Sequence, residues 1–162
     1  MTNTILITGA SSGIGKATVE YFAQKKWQVI ATMRRPEKSL ELAQLENVIC
    51  LRLDVNQPES IQLAIDQAIA HFGKIDVIVN NAGYAAVGAF EAASMEEIQN
   101  QFNTNVFGLI NVTRAILPYF RQQRQGKIIN ISSIGGRLAF PIYSLYHGTK
   151  WAVECFSESK IM

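Results

Sequence analysis

Short apolar runs alternate with longer stretches of helical period along the chain. Residues 4–8 (TILIT), 27–33 (WQVIATM), 48–53, 75–80 (IDVIVN) and the KIINIS run within 126–132 are brief and rich in β-branched residues. Each predicts a strand. Between Pro58 and Gly73, the residues Ile61, Ala64, Ile65, Ala68, Ile69 and Phe72 recur at helical spacing. Proline suits the first turn of that helix and glycine its end. Helices are also predicted over 15–26 and, shorter and more polar, over 36–45. Ser94 and Glu97 have the spacing of a capping box, predicting one long helix from there to about Phe120. A last helix starts near Leu145. Strands apolar on both faces, alternating with helices, predict an α/β fold: a three-layer, doubly wound parallel sheet.

Composition narrows the class. A chain of 162 residues suits one domain, 1–162, with one core. It is 48% hydrophobic and 17% charged, as globular proteins are. Lys and Arg number 15 against 13 Asp and Glu, a net charge of +2, and the basic residues are scattered. Nothing points to a nucleic-acid or membrane partner. The N-terminus lacks a basic leader, and no apolar run is long enough for a span. Cys50 and Cys155 have no metal-ligand spacing, so no metal is expected, and a cytoplasmic protein with reduced thiols is the reading.

The chemistry starts at TGASSGIG, Thr8 to Gly15, between the first strand and helix. Gly9 permits a tight exit from the strand, Gly13 lets backbone approach a phosphate, and Gly15 lets the helix pack on the sheet. The helix N-terminus then offers free N–H groups and a positive dipole end to a pyrophosphate. Ser11 and Ser12 add hydroxyls. The competing reading is a plain glycine turn. After the second strand, Met33 stands where an NAD-preferring site carries an acid for the ribose 2′-hydroxyl, and Arg34 follows. A guanidinium there pairs with a 2′-phosphate. NADP(H) is therefore expected over NAD(H), unless Arg34 and Arg35 are only solvated loop charges.

Tyr146 and Lys150 lie one helical turn apart, on one face. A free phenol is a poor acid at neutral pH, and a nearby ammonium favours the phenolate. Such a pair can exchange a proton with substrate.

The Gly-x3-Gly-x-Gly spacing, NNAG at Asn80–Gly83, Asn105 in the fourth helix, Ser133 after the fifth strand and Tyr146-x-x-x-Lys150 occur in order, with Ser133 thirteen residues before Tyr146. Here the chain resembles the classical short-chain dehydrogenase/reductase family over essentially its whole length. The resemblance implies a Rossmann fold and an NAD(P)(H)-dependent oxidoreductase that interconverts an alcohol and a carbonyl compound. It implies a catalytic tetrad: Tyr146 as acid and base, Lys150 on the nicotinamide ribose, Ser133 on the substrate oxygen, Asn105 in a water relay. It places the cofactor against Gly9, Ser11, Ser12, Gly13, Ile14 and Gly15. Asp54 and Val55 would lie by the adenine, and Asn81, Ala82 and Gly83 would pass along the cofactor. The rival readings are a non-catalytic dinucleotide-binding module and an inactive fragment. His147 reads as a partly exposed residue without a catalytic part, and His71 as a surface residue at a helix end.

The complete arrangement has six strands ordered 3-2-1-4-5-6, and five are visible. The C-terminal strands of the family are thus expected to be missing, leaving the last helix to end at SESKIM and the fifth strand as an edge. The isolated chain is then expected to bind NADP(H) weakly and to turn over little. The segment 134–143, IGGRLAFPIY, is apolar apart from Arg137, which favours an apolar alcohol or ketone. The full-length form is expected to be a homo-oligomer.

Overall fold

Five runs of aliphatic residues pair into one parallel sheet: β1 (Thr4–Thr8), β2 (Gln28–Met33), β3 (Val48–Arg52), β4 (Val77–Asn80) and β5 (Lys127–Asn130). The computed structural model describes residues 2–159; the tail of the SESKIM segment lies outside them. Strand order is β3-β2-β1-β4-β5. Every residue of β1 is buried, as a central strand covered on both faces requires. Ile5 of β1 pairs with Val29 of β2 and Val77 of β4, and Asn80 pairs with Asn130 across β4 and β5. β5 is an edge of this sheet among the described residues, and its residues alternate between exposed and half-buried.

Helices cover both faces. On one, Leu6, Ile30 and Ile78 pack against Ile61 and Ile65 of α3 (Pro58–Phe72) and Val112, Ile116 and Phe120 of α5 (Gly108–Gln123). On the other, Ile5, Ile7, Val29 and Ala31 pack against Val19 and Ala23 of α1 (Gly13–Gln24) and Leu42 of α2 (Leu40–Ala43). This alternation along β1 is the period-2 geometry of a strand with two cores. The chain thus has the doubly wound Rossmann arrangement.

Three elements differ from their sequence reading. α1 begins at Gly13 rather than Gly15, because Ser12 is already the extended N-cap. The predicted 36–45 helix breaks at Ser39 into a 3-10 turn (Pro36–Lys38) and the single turn of α2. The predicted Ser94–Phe120 helix has its capping box at Ser94 and Glu97, but it is not one α-helix. α4 (Met95–Phe102) passes through a π-helical segment, Asn103–Phe107, into α5. α6 (Ser144–Glu158) closes the described chain and packs on the π segment, α4 and the Ile134–Gly136 turn. Between α5, β5 and α6 runs an open groove of about 800 Å³, lined by Leu109, Leu117, Ile128 and Phe156 among others.

Candidate active site

The sheet changes its winding direction between β1 and β4, and ligands of open α/β sheets bind at the C-terminal strand ends there. A cleft of about 900 Å³ opens at that place. The glycine loop forms its floor. Gly9 and Gly13 have φ of +66° and +55°, left-handed values that cost other residues strain. A β-carbon on Gly15 would overlap the Gly9 carbonyl oxygen and sit 2.6 Å from Asn81 Nδ2, so only glycine lets α1 seat this closely. At Gly13 the same carbon would meet nothing within 4 Å. Ser12 makes no side-chain cap to its own helix, and no acidic residue stands in the first turn. The first-turn N–H groups of α1 therefore keep their positive field.

A second strip of backbone is stapled to this loop. Thr8 Oγ1 accepts from the N–H groups of Asn81 and Ala82, both at 3.0 Å, and donates to Val79 O at 3.3 Å. Asn81 Nδ2 donates to Thr8 O at 2.9 Å and Gly9 O at 3.2 Å. The NNAG segment and the glycine loop thus move as one piece.

The walls carry most of the expected residues. Gly9, Ser11, Ser12, Gly13 and Ile14 line the cleft, with Arg34 exposed at one end beside Met33. Asp54 and Val55 line it, as do Asn81, Ala82 and Gly83. One Asp54 carboxylate oxygen accepts from the Asn56 N–H at 3.0 Å, a local turn that leaves the other oxygen open. Gly15 lies buried beneath the floor.

Tyr146 and Lys150 face the same cleft from α6. Lys150 Nζ lies 5.7 Å from the centre of the Tyr146 ring and donates to Ile131 O at 2.7 Å. The Ile131 carbonyl is its only hydrogen-bond partner among the described residues, so two N–H bonds remain for a ligand. Burial pushes the Lys150 ammonium below the ordinary lysine value.

Ser133 and Asn105 do not line the cleft. Ser133 Oγ accepts from the Gly135 N–H at 3.1 Å and so caps the Ile134–Gly136 turn; its own O–H remains a donor. Asn105 is buried in the π segment. Its Oδ1 accepts from Tyr84 N at 3.0 Å, and its Nδ2 donates to Tyr84 O at 2.8 Å and Thr149 Oγ1 at 3.1 Å. Thr149 Oγ1 donates to Tyr146 O at 2.7 Å. Asn105 therefore braces the segment after β4 against the first turn of α6. π turns recur at functional sites because they redirect one side chain out of helical register.

The sequence reading missed Gln101, Thr149 and Ser132. Gln101 is fully buried; its Nε2 donates to Tyr84 O at 2.7 Å and its Oε1 accepts from Ala86 N at 2.5 Å. A polar residue four positions before Asn105 on an otherwise inward face was the available signal. Ser132 lines the cleft, and its Oγ is buried without a hydrogen-bond partner. His147, read as partly exposed, is buried, only 5% exposed, because the 137–143 loop folds back over it. His71 is exposed at the end of α3. Among the described residues no group of His, Cys, Asp and Glu could hold a metal, and no helix is long and apolar enough to cross a membrane.

The family model for short chain dehydrogenase matches residues 3–161. An uncharacterized oxidoreductase of Schizosaccharomyces pombe is 51% identical over 127 residues, 78% of this chain and 54% of that protein. The 3-ketodihydrosphingosine reductase of Bacteroides thetaiotaomicron is 44% identical over 155 residues, 96% of this chain and 56% of that one. The chain spans about half the length of these curated relatives. A short-chain dehydrogenase from Streptomyces avermitilis superposes with a TM-score of 0.91 at 41% identity, over 98% of this chain and 59% of that one. A gluconate 5-dehydrogenase from Burkholderia cenocepacia, solved with NADP and tartrate, has a TM-score of 0.90 at 30% identity, over 96% and 63%. A short chain dehydrogenase/reductase from Burkholderia phymatum, solved with NAD, has a TM-score of 0.92 at 29% identity, over 98% and 58%.

Proposed function

The chain belongs to the short chain dehydrogenase family, and on that premise we propose that residues 1–162 form one nicotinamide-dinucleotide-binding domain of an oxidoreductase that interconverts an alcohol and a carbonyl compound. The observation that carries this reading is the shared cleft. One cavity joins the first turn of α1, the Asn81–Gly83 backbone, and the Tyr146–Lys150 pair. The residues fit a dinucleotide. Gly13 leaves open space where a side chain would block a phosphate, and Ser12 is not spent on its own helix. Similar structures hold NADP or NAD. Arg34 on the cleft lining, and Met33 rather than an acid at the end of β2, favour NADP(H).

When bound, the nicotinamide supplies or takes up the hydride at the substrate carbon. Tyr146 gives the carbonyl oxygen its proton in reduction and takes it from the hydroxyl in oxidation. Lys150 directs its two remaining N–H bonds to ribose hydroxyls. Ser133 O–H donates to the substrate oxygen and stabilises charge developing there. Asn105 holds the site through Tyr84 and Thr149, and its place in a water relay to Lys150 belongs to the same reading.

The substrate side is apolar. Val87 and Phe90 are exposed on one loop, Leu138, Phe140 and Ile142 on the other. The two loops are pinned by the Gly88 N–H donating to Ile142 O at 2.9 Å. A ketone with a long apolar chain is the first candidate; the Bacteroides relative is named a 3-ketodihydrosphingosine reductase. The full-length form is read as a cytoplasmic homo-oligomer, which light scattering tests.

The decisive experiment titrates NADPH and follows its oxidation with an apolar ketone. In a form that has the length of the curated relatives, Tyr146→Phe keeps cofactor affinity and abolishes turnover; Lys150→Ala damages both. Wild-type turnover in Tyr146→Phe refutes the assigned acid and base, and absence of NADPH binding by the wild type refutes the cofactor site.

A further inference from the structure

His147 follows Tyr146 directly and turns away from the cleft into a closed slot. Its Nδ1 accepts from the Phe140 N–H at 3.1 Å. Its ring stacks on Tyr143, with centroids 5.4 Å apart and planes 14° from parallel, and meets Phe140 edge-on at 5.4 Å. Gly135 closes the far side: a β-carbon there would overlap His147 Cδ2 and lie 2.7 Å from Nε2. The Gly135 N–H is the donor that holds Ser133 Oγ. One imidazole therefore touches the turn that orients Ser133 and the apolar loop beyond it, and is bonded through the chain to Tyr146.

Arg137 ties the start of this loop to Glu154 and Glu158 of α6, at 2.8 and 2.6 Å, and Ile142 O accepts from Gly88 N–H at its end, so His147 is the anchor of its middle, at Phe140. Leu138, Phe140 and Ile142 are 54%, 47% and 58% exposed, so their side chains add little burial. Ile142 has φ of +62°, a strained value for a β-branched residue that the surroundings must impose. We propose that His147 is a positioning residue. As an imidazole whose Nδ1 carries no proton, it clamps the Gly135–Tyr143 segment to the first turn of α6. The clamp fixes the apolar wall beside Tyr146 and the turn under Ser133. This rests on the reading of Tyr146 and Ser133 given above.

The test is amide hydrogen exchange at Phe140, read by NMR alongside thermal unfolding in the 162-residue chain. His147→Phe keeps an aromatic ring without an acceptor, and His147→Asn offers Oδ1 near the place of Nδ1. Phe140 exchanges at least about tenfold faster in His147→Phe, as loss of one part-buried hydrogen bond implies. In His147→Asn it stays near wild type. Trypsin cleavage after Arg137 accelerates in the first variant only. Wild-type exchange at Phe140 in His147→Phe overturns the clamp. So does equal loss of protection in both variants with a matching fall in melting temperature, which marks a merely structural ring. NADPH titration of the same samples separates the two claims. Failure of the wild type to bind sinks the cofactor reading, whereas the exchange data judge the clamp.

Discussion

Replacing Gly15 by alanine and Gly13 by alanine separates the two jobs of the glycine loop. At Gly15 the new methyl would overlap the Gly9 carbonyl oxygen and stand 2.6 Å from Asn81 Nδ2. Neither neighbour yields easily. Asn81 Nδ2 is bonded to Thr8 O and Gly9 O, and Gly9 belongs to the backbone turn itself. The helix must back away from the sheet, an overpacking cost of about 2 kcal/mol. For a chain of this size that lowers the melting temperature by roughly 4–8 °C. At Gly13 the methyl meets nothing within 4 Å. The cost is then only the left-handed φ, about 1 kcal/mol and roughly 2–4 °C. Yet this methyl stands on the cleft lining, where a phosphate must come against backbone N–H groups. Scanning calorimetry and an NADPH titration on both variants read the two effects. Gly13→Ala loses at least about tenfold in NADPH affinity for its small loss of stability. Gly15→Ala unfolding at the wild-type temperature would show that the loop yields, and wild-type NADPH affinity in Gly13→Ala would remove the phosphate cradle.

Arg34→Ala narrows the ratio of NADP to NAD dissociation constants, measured by calorimetry; an unchanged ratio makes Arg34 a bystander. Lys150→Met raises the melting temperature at neutral pH while abolishing turnover, because burial penalises the ammonium. The folded-state value lies below the ordinary 10.5. The cost is therefore fully present below the folded value and fades as pH rises towards the unfolded one, so the gap between wild type and Lys150→Met narrows in that alkaline window. A gap constant with pH contradicts this origin. Ile129→Lys, at an exposed position of the β5 edge, lowers any self-association of the 162-residue chain seen by light scattering.

Local signals carried far in this chain. The strands at 4–8 and 48–53, the Pro58–Gly73 helix and the Ser94–Glu97 box are set by neighbours in sequence, and the structure has all of them within a residue or so. The break at Ser39 was not legible, because the polar 36–45 stretch has no periodicity strong enough to fix its ends. Nor was the π segment, since a hydrophobic repeat cannot separate i→i+4 from i→i+5 bonding over one turn. At the glycine loop the reading came from the strand–loop–helix context together with the spacing, whereas the convergence of residues from 9 to 150 rested on resemblance. His147 shows the limit most clearly. Its burial is created by a loop that folds back from residues 137–143, and no pattern around position 147 carries that information.

The π segment between α4 and α5 has a consequence for how this stretch can change. A five-residue closure holds one residue more than an α-turn, so Gln101 and the core face of α5 are out of phase by one position. The wider turn absorbs that extra residue, so deleting one residue of Asn103–Phe107 would let the chain close as a continuous α-helix with Gln101 and the core face of α5 still on their present sides. What such a deletion removes is the displaced position from which Asn105 reaches Tyr84 and Thr149. The extra residue and the carboxamide of Asn105 are therefore bound to one another: loss of either costs the brace between Tyr84 and Thr149, while an exposed position such as Phe107 is open to change.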